Sequence, residues 1–128
     1  EAACKKVGIP LKVINGSLDE KVVVQVLAGC KALIIPGIED FGLTSLEAQA
    51  LGKPVVAFGE GGVLETVIDG KTGILFNDQT QNSLVAALKS LNSKKIDPQD
   101  CKDNASRFSK EHFVKNFKQT VASLLYTN

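Results

Sequence analysis

The chain has 128 residues, 15 of them basic and 14 acidic, for a net charge of +1. That length suits one domain burying roughly two-thirds of its unfolded surface, and the charge balance excludes the basic footprint of a nucleic-acid surface. The longest apolar runs fall far short of the roughly 20 residues of a membrane span, so no transmembrane segment is expected, and no signal peptide is visible.

Residues 1–8 read as the tail of an earlier helix, because Glu1-Ala-Ala-Cys-Lys-Lys6 opens without a methionine or a capping signal. The chain is therefore expected to be one partial domain, 1–128, of a longer protein. Ile9 to Ile14 reads as a strand. Ser17-x-x-Glu20 has the spacing of a capping box and starts a helix to about Ala28, with Gly29 placed to end it. Ala32-Leu-Ile-Ile35 is a buried strand ending at Pro36-Gly37, and Leu43 to Leu51 has helical spacing up to Gly52-Lys53-Pro54. Pro54-Val-Val-Ala-Phe58 is a third strand, Val63 to Ile68 a short helix, and Ile74-Leu-Phe76 a fourth strand. Thr80 or Asn82 starts a helix whose Leu84, Ala87, Leu88 and Leu91 form one stripe. Asn92-Ser-Lys-Lys95 is a polar linker. Asp97-Pro98 opens another helix, with Asp as cap and Pro at the first helical position.

Ser109 begins the last helix, with Phe113, Phe117, Val121, Leu124 and Leu125 on one face. That stripe is longer than a small domain edge needs and favours self-association of the isolated chain. Continuous apolar strands alternating with helices imply a parallel sheet covered on both faces, an α/β, Rossmann-like fold. Cys4, Cys30 and Cys101 are odd in number and widely separated, which favours free thiols in a reducing compartment over a disulfide or metal framework. Cytoplasm is the expected location, with the inner membrane surface as an alternative for a full-length protein.

The segment Glu39-Asp-Phe-Gly-Leu-Thr-Ser-Leu-Glu47 sets two carboxylates eight residues apart across the point where a loop becomes a helix. Glu39 falls on the loop and Glu47 in the first helical turns. Between them the amides near Gly42, Leu43 and Thr44 lie at a helix start, where the dipole favours an anion such as a phosphate. The loop follows a parallel strand, at the end where ligand crevices form. Glycine at 42 lets a backbone approach closely, and a carboxylate at 39 accepts from two neighbouring hydroxyls. Thr44 either turns its hydroxyl toward phosphate or caps the helix. On the plainer reading Glu39 is a solvated loop residue and Glu47 a glutamate favoured by the helix dipole.

Glu-x7-Glu alone recurs by chance. Joined in order to FGL, GKPVVA, GGVLETV and DGKTGILF, it resembles the donor-binding core of retaining glycosyltransferases of family four, which have the two-domain GT-B architecture. Gly16-Ser-Leu-Asp-Glu20 and Phe108-Ser-Lys-Glu111 extend the resemblance over nearly the whole chain. It implies the C-terminal half of a GT-B architecture, with the N-terminal domain outside this chain. The implied reaction passes a sugar from a nucleoside diphosphate to an acceptor hydroxyl of a glycan or lipid-linked acceptor, with retention and with neither metal nor cofactor. By the same resemblance Glu39 meets donor-sugar hydroxyls as the catalytic candidate. The amides of Phe41, Gly42 and Leu43 meet sugar and phosphate, and Glu47 meets the ribose. In that family an Arg and a Lys preceding residue 1 grip the diphosphate, so this chain alone is expected to bind a donor weakly and turn nothing over. GGVLETVIDGKTG looks most like mannosyltransferases of polysaccharide assembly, which suggests GDP-mannose.

Two other classes remain open: a GT-B-like epimerase or phosphorylase, and a non-catalytic nucleotide-sugar-binding module. Products formed without an acceptor distinguish the first, and absence of the gripping Arg and Lys the second. Gly70-Lys71-Thr72 imitates the end of a phosphate-binding loop, but the glycine required five positions earlier is Glu65. Gly59-Glu-Gly-Gly62 follows a strand as a dinucleotide fingerprint does, yet its third glycine position is Leu64 and its helix is short. Gly61-Gly62 serves either a tight turn or the donor site. Phe41 is expected to anchor packing, and the lone His112, with no second ligand, reads as structural.

Overall fold

In a computed structural model, residues 1–126 are described. Three parallel strands, β1 (Leu33–Ile35), β2 (Val55–Phe58) and β3 (Gly73–Phe76), pair in chain order. Leu33 lies beside Val55, and Val55 beside Gly73. Before the sheet come helices α1 (Ala2–Lys6) and α2 (Glu20–Gly29). Between strands lie α3 (Leu43–Ala50) and α4 (Val63–Thr66). After it follow α5 (Gln81–Ser93), α6 (Pro98–Ser106) and α7 (Lys110–Tyr126).

All four residues of β2 are buried, and their alternation divides the core in two. Val56 and Phe58 pack with Ile74, Phe76 and with Ala3, Cys4, Val85, Ala87 and Leu88 of α1 and α5. Val55 and Ala57 face the other way, onto Leu27, Ile35, Ala48, Val63 and Val67. Burying each Val, Leu, Ile or Phe among them contributes about 1.5–3 kcal/mol. The apolar run reads as continuous because both faces are covered.

Caps explain where the later helices begin. The Thr80 hydroxyl accepts from the Ser83 amide at 3.2 Å, and the Asp97 carboxylate accepts from the Gln99 amide at 2.8 Å with Pro98 behind it. Ser109 accepts from the His112 amide at 3.3 Å. All three follow the expected positions.

Two expectations near the N-terminus fail, and the polar linker expected at 92–95 is shortened because α5 continues through Ser93. The strand over 9–14 does not form, and residues 9–19 carry neither helix nor strand. Pro10 has no N–H to give a ladder, and Leu11, Val13 and Ile14 are 40%, 53% and 42% exposed, so neither parity of the segment is buried. The capping box at Ser17 and Glu20 is also replaced. Asp19 caps α2, accepting from the Lys21 amide at 2.8 Å, and Glu20 becomes the first helical residue. The helix starts at Glu20, so Asp19 stands at the capping position and Ser17 lies two residues outside it.

The three cysteines are free, Cys4 and Cys101 buried and Cys30 half-buried. No residue of α7 is buried, and Phe113, Phe117, Leu124 and Leu125 face solvent, the two phenylalanine rings stacked at 5.9 Å. His112 is exposed on the same helix, so the structural role expected for its ring has no packing behind it. Among the described residues no helix is long and apolar enough to cross a membrane.

Candidate functional site

The loop after β1 and the loop after β2 both leave the carboxyl end of the sheet, and they touch. Glu39 and Gly61 form an isolated parallel bridge, and the Gly62 amide donates to the Glu39 carbonyl at 2.6 Å. Gly62 is there because nothing larger fits: a Cβ would fall on the Phe41 backbone. The turn and the close approach are thus one feature, and Gly61-Gly62 lies directly against the motif loop.

Gly42 is the N-cap of α3, with φ +93 and ψ +45, a left-handed conformation that L side chains rarely adopt. Thr44 is therefore not the cap but the second helical residue. No side chain caps this helix, and the ladder opens only with the Leu46 amide donating to the Gly42 carbonyl at 3.3 Å. The amides of Leu43, Thr44 and Ser45 precede that bond, so they belong to the orphan donors of a helix start.

Burial divides α3 lengthwise. Ser45, Leu46, Ala48 and Gln49 face inward, while Leu43, Thr44 and Glu47 share the exposed side. Glu47 stands one turn beyond Leu43, and Glu39 is exposed on the adjoining loop. Two carboxylates and an uncapped helix start thus share one rim, a combination suited to a ligand bearing both hydroxyls and an anion. Phe41 is 42% exposed and meets the Phe108 ring edge-on at 6.1 Å, so its ring packs, as expected. The exposed apolar side chains Ile38, Leu43 and Leu64 flank the rim.

Neither imitation motif behaves as its chemistry requires. Thr72 is buried, and its hydroxyl accepts from the Ile68 amide at 2.9 Å, while Lys71 pairs with Asp100 at 3.6 Å. The glycines at 59–62 open only the four-residue α4, too short for a dinucleotide-binding crossover.

The sequence reading missed the polar residues behind the rim. Gln49 donates to the Ser45 hydroxyl at 3.0 Å and to the Thr66 carbonyl at 2.8 Å, and accepts from Asn104 at 2.7 Å. Asn104 also donates to the Thr66 carbonyl at 2.9 Å and accepts from Arg107 at 3.1 Å. The one available signal was Ser45 and Gln49, polar residues four apart on the inward side of an otherwise apolar helix face. Arg107, the only arginine in the chain, lies over the Phe108 ring at 5.7 Å.

Residues 4–108 match the family model of the glycosyl transferases, group 1. An alpha-1,3/1,6-mannosyltransferase ALG2 of Dictyostelium discoideum is 38% identical over 99 residues, covering 74% of this chain and 24% of that protein. A glycogen synthase of Mycobacterium tuberculosis is 33% identical over 110 residues, covering 84% of this chain and 26% of that protein. The chain therefore spans about a quarter of the length of these relatives. In structure it superposes on sucrose-phosphate synthase from Thermosynechococcus elongatus with a TM-score of 0.74 at 23% identity, over 99% of this chain and 34% of that one. That likeness carries the fold, the parallel sheet flanked by helices expected of half a GT-B architecture. A family match spanning the whole sheet, both rim loops and α6 shows that the chain belongs to the group 1 glycosyl transferases.

Proposed function

We propose that this chain is the nucleotide-sugar-binding domain of a retaining glycosyltransferase of family four. Its donor lies across Glu39 and the start of α3. The observation that carries this reading is the uncapped helix start between two exposed carboxylates, at the carboxyl end of β1 and β2. Glu39 accepts hydrogen bonds from sugar hydroxyls, the amides of Phe41, Gly42 and Leu43 meet sugar and phosphate, Thr44 adds its hydroxyl, and Glu47 holds the ribose. As the bond from the anomeric carbon to the diphosphate breaks, negative charge grows on the leaving oxygen, and the positive end of α3 stabilises it. The donor is GDP-mannose, and the 38% identical mannosyltransferase supports the mannose part of that reading. A companion N-terminal domain supplies most of the pocket for the glycan or lipid-linked acceptor.

Magnitudes set the expected affinity. A phosphate at a helix start is worth up to about 2 kcal/mol, and a hydrogen bond to a charged group about 1.5–3 kcal/mol. Together these correspond to a Kd on the order of 1 mM for nucleotide on this chain alone. Titration of the 15N-labelled chain with GDP, UDP and GDP-mannose tests it. Amide shifts should cluster at residues 39–47. Shifts confined to 59–63, produced by a dinucleotide, would replace this reading with the dinucleotide one.

A further inference from the structure

We propose that the buried cluster of Ser45, Gln49, Thr66 and Asn104 is a positioning device that sets the Gly61-Gly62 turn against Glu39 and so fixes the rim of the donor site. The proposal rests on the donor-site reading above.

All four side chains are at most 3% exposed, and among the described residues no buried side-chain nitrogen or oxygen lacks a partner. The Thr66 carbonyl orients the cluster. A carbonyl only accepts, so Gln49 and Asn104 must each present an NH2 to it, which fixes both amides without ambiguity. Gln49 is then left with its oxygen facing Asn104, and the match closes.

The element gripped in this way has little stability of its own. α4 is a single turn of four residues, too short to persist without tertiary support. Its last carbonyl is held by Gln49 from α3 and Asn104 from α6. At its other end the Thr66 hydroxyl lies 3.3 Å from the Gly62 carbonyl and 3.3 Å from the Ser45 hydroxyl. The Gly62 amide in turn holds the Glu39 carbonyl. A continuous line of hydrogen bonds therefore runs from Asn104 through Gln49, Thr66 and Gly62 to the backbone of Glu39. Apolar packing at these positions fills the same space but leaves the turn free to slide, whereas a fully satisfied polar network admits one register.

Thr66→Val keeps the shape and removes the hydroxyl, Thr66→Ser returns it, and Asn104→Ala cuts the line at its far end, away from the rim. Two readouts separate positioning from stability: hydrogen exchange of the Gly62 amide relative to Val56 and Ala57 in the sheet, and the Kd for GDP. Thr66→Val should raise Gly62 exchange and weaken GDP binding by roughly fivefold each. Thr66→Ser should restore both, and Asn104→Ala should act in the same direction as Thr66→Val. If Asn104→Ala does not fold, the Thr66 pair decides. Gly62 exchange that rises only in step with the sheet amides, with GDP affinity unchanged, would overturn the proposal. If the wild-type chain binds no nucleoside diphosphate, the donor-site reading falls, and the exchange data alone decide whether the cluster controls the turn at Glu39.

Discussion

Two glycine-rich turns, 59–62 and 70–73, obey the same steric rule at opposite ends of the sheet. Gly62 has no room for a Cβ because the Phe41 backbone is there, and Gly73 has none because the Val55 carbonyl is there. Beyond that they diverge. The second turn precedes β3, and its polar groups complete the fold: Gly70 donates to Gly73 at 2.8 Å, Asp69 accepts from Leu75 at 2.9 Å, and the Cys101 thiol lies 3.7 Å from the Thr72 carbonyl. The first turn follows β2, at the end of a parallel sheet where ligand crevices form, and leaves Glu39 and Glu60 exposed near the uncapped start of α3. Close packing of backbone on backbone is therefore no sign of function by itself. Which end of the strands it occupies decides what it supports.

The largest effect that tests this contrast is Gly73→Ala. Its methyl would enter the β2–β3 ladder, and a loss of about 4 kcal/mol is expected in urea denaturation. A variant within 1 kcal/mol of wild type, roughly a fivefold change in the folding equilibrium, would show that the sheet yields there. Gly62→Ala should cost less, about 1–3 kcal/mol as overpacking that a surface loop relieves by moving. The movement carries Glu39 with it, so GDP affinity falls along with stability. If stability drops and affinity does not, the turn has no bearing on the site.

Glu47→Gln comes next. The amide keeps part of a bond worth about 1.5–3 kcal/mol, so nucleotide binding should weaken by about 1 kcal/mol with the fold intact. Glu39→Ala, in a protein that carries the companion domain proposed above, should instead reduce turnover while leaving free-nucleotide binding near wild type. The reverse pattern would exchange the two glutamates' roles.

A pH dependence is expected beside the second turn, at Cys101. Burial, and then the nearby Asp100 and Asp97, push the Cys101 thiol up from 9.0 to about 11. The unfolded chain ionises first, so the stabilising difference is whole below pH 9 and is lost as the pH rises toward 11. Thermal melts of wild type and Cys101→Ala should diverge in slope across that window, whereas GDP binding should show no matching step. Smallest of all is Lys71→Ala. The ion pair with Asp100 is 59% and 39% exposed, and its loss should change stability by about 0.5 kcal/mol or less.

Most of this fold was legible because its signals are local. The apolar run at 54–58, the caps at Thr80 and Asp97 and the glutamate spacing at 39 and 47 each lie within a few residues of what they specify. The strand misread at 9–14 shows the limit, since a strand exists only through its partner and Leu11, Val13 and Ile14 are apolar without being covered. The rim residues were singled out through their motif. Gln49, Thr66 and Asn104 were not, because a buried amide looks like any surface amide until its acceptor, 17 or 55 residues away, is in place.

The strand order has a kinetic consequence. Because β1, β2 and β3 pair in sequence, each ladder closes a loop of only about 20 residues, and neither has to wait for a distant part of the chain. Both ladders need β2, so it is the segment on which folding should nucleate. Val56→Ala should then slow refolding, with a φ-value above 0.5, while Leu27→Ala on α2 should mainly speed unfolding. A chain emerging from the ribosome would reach this nucleus once residues 33–76 are free, before the last three helices have left the exit tunnel.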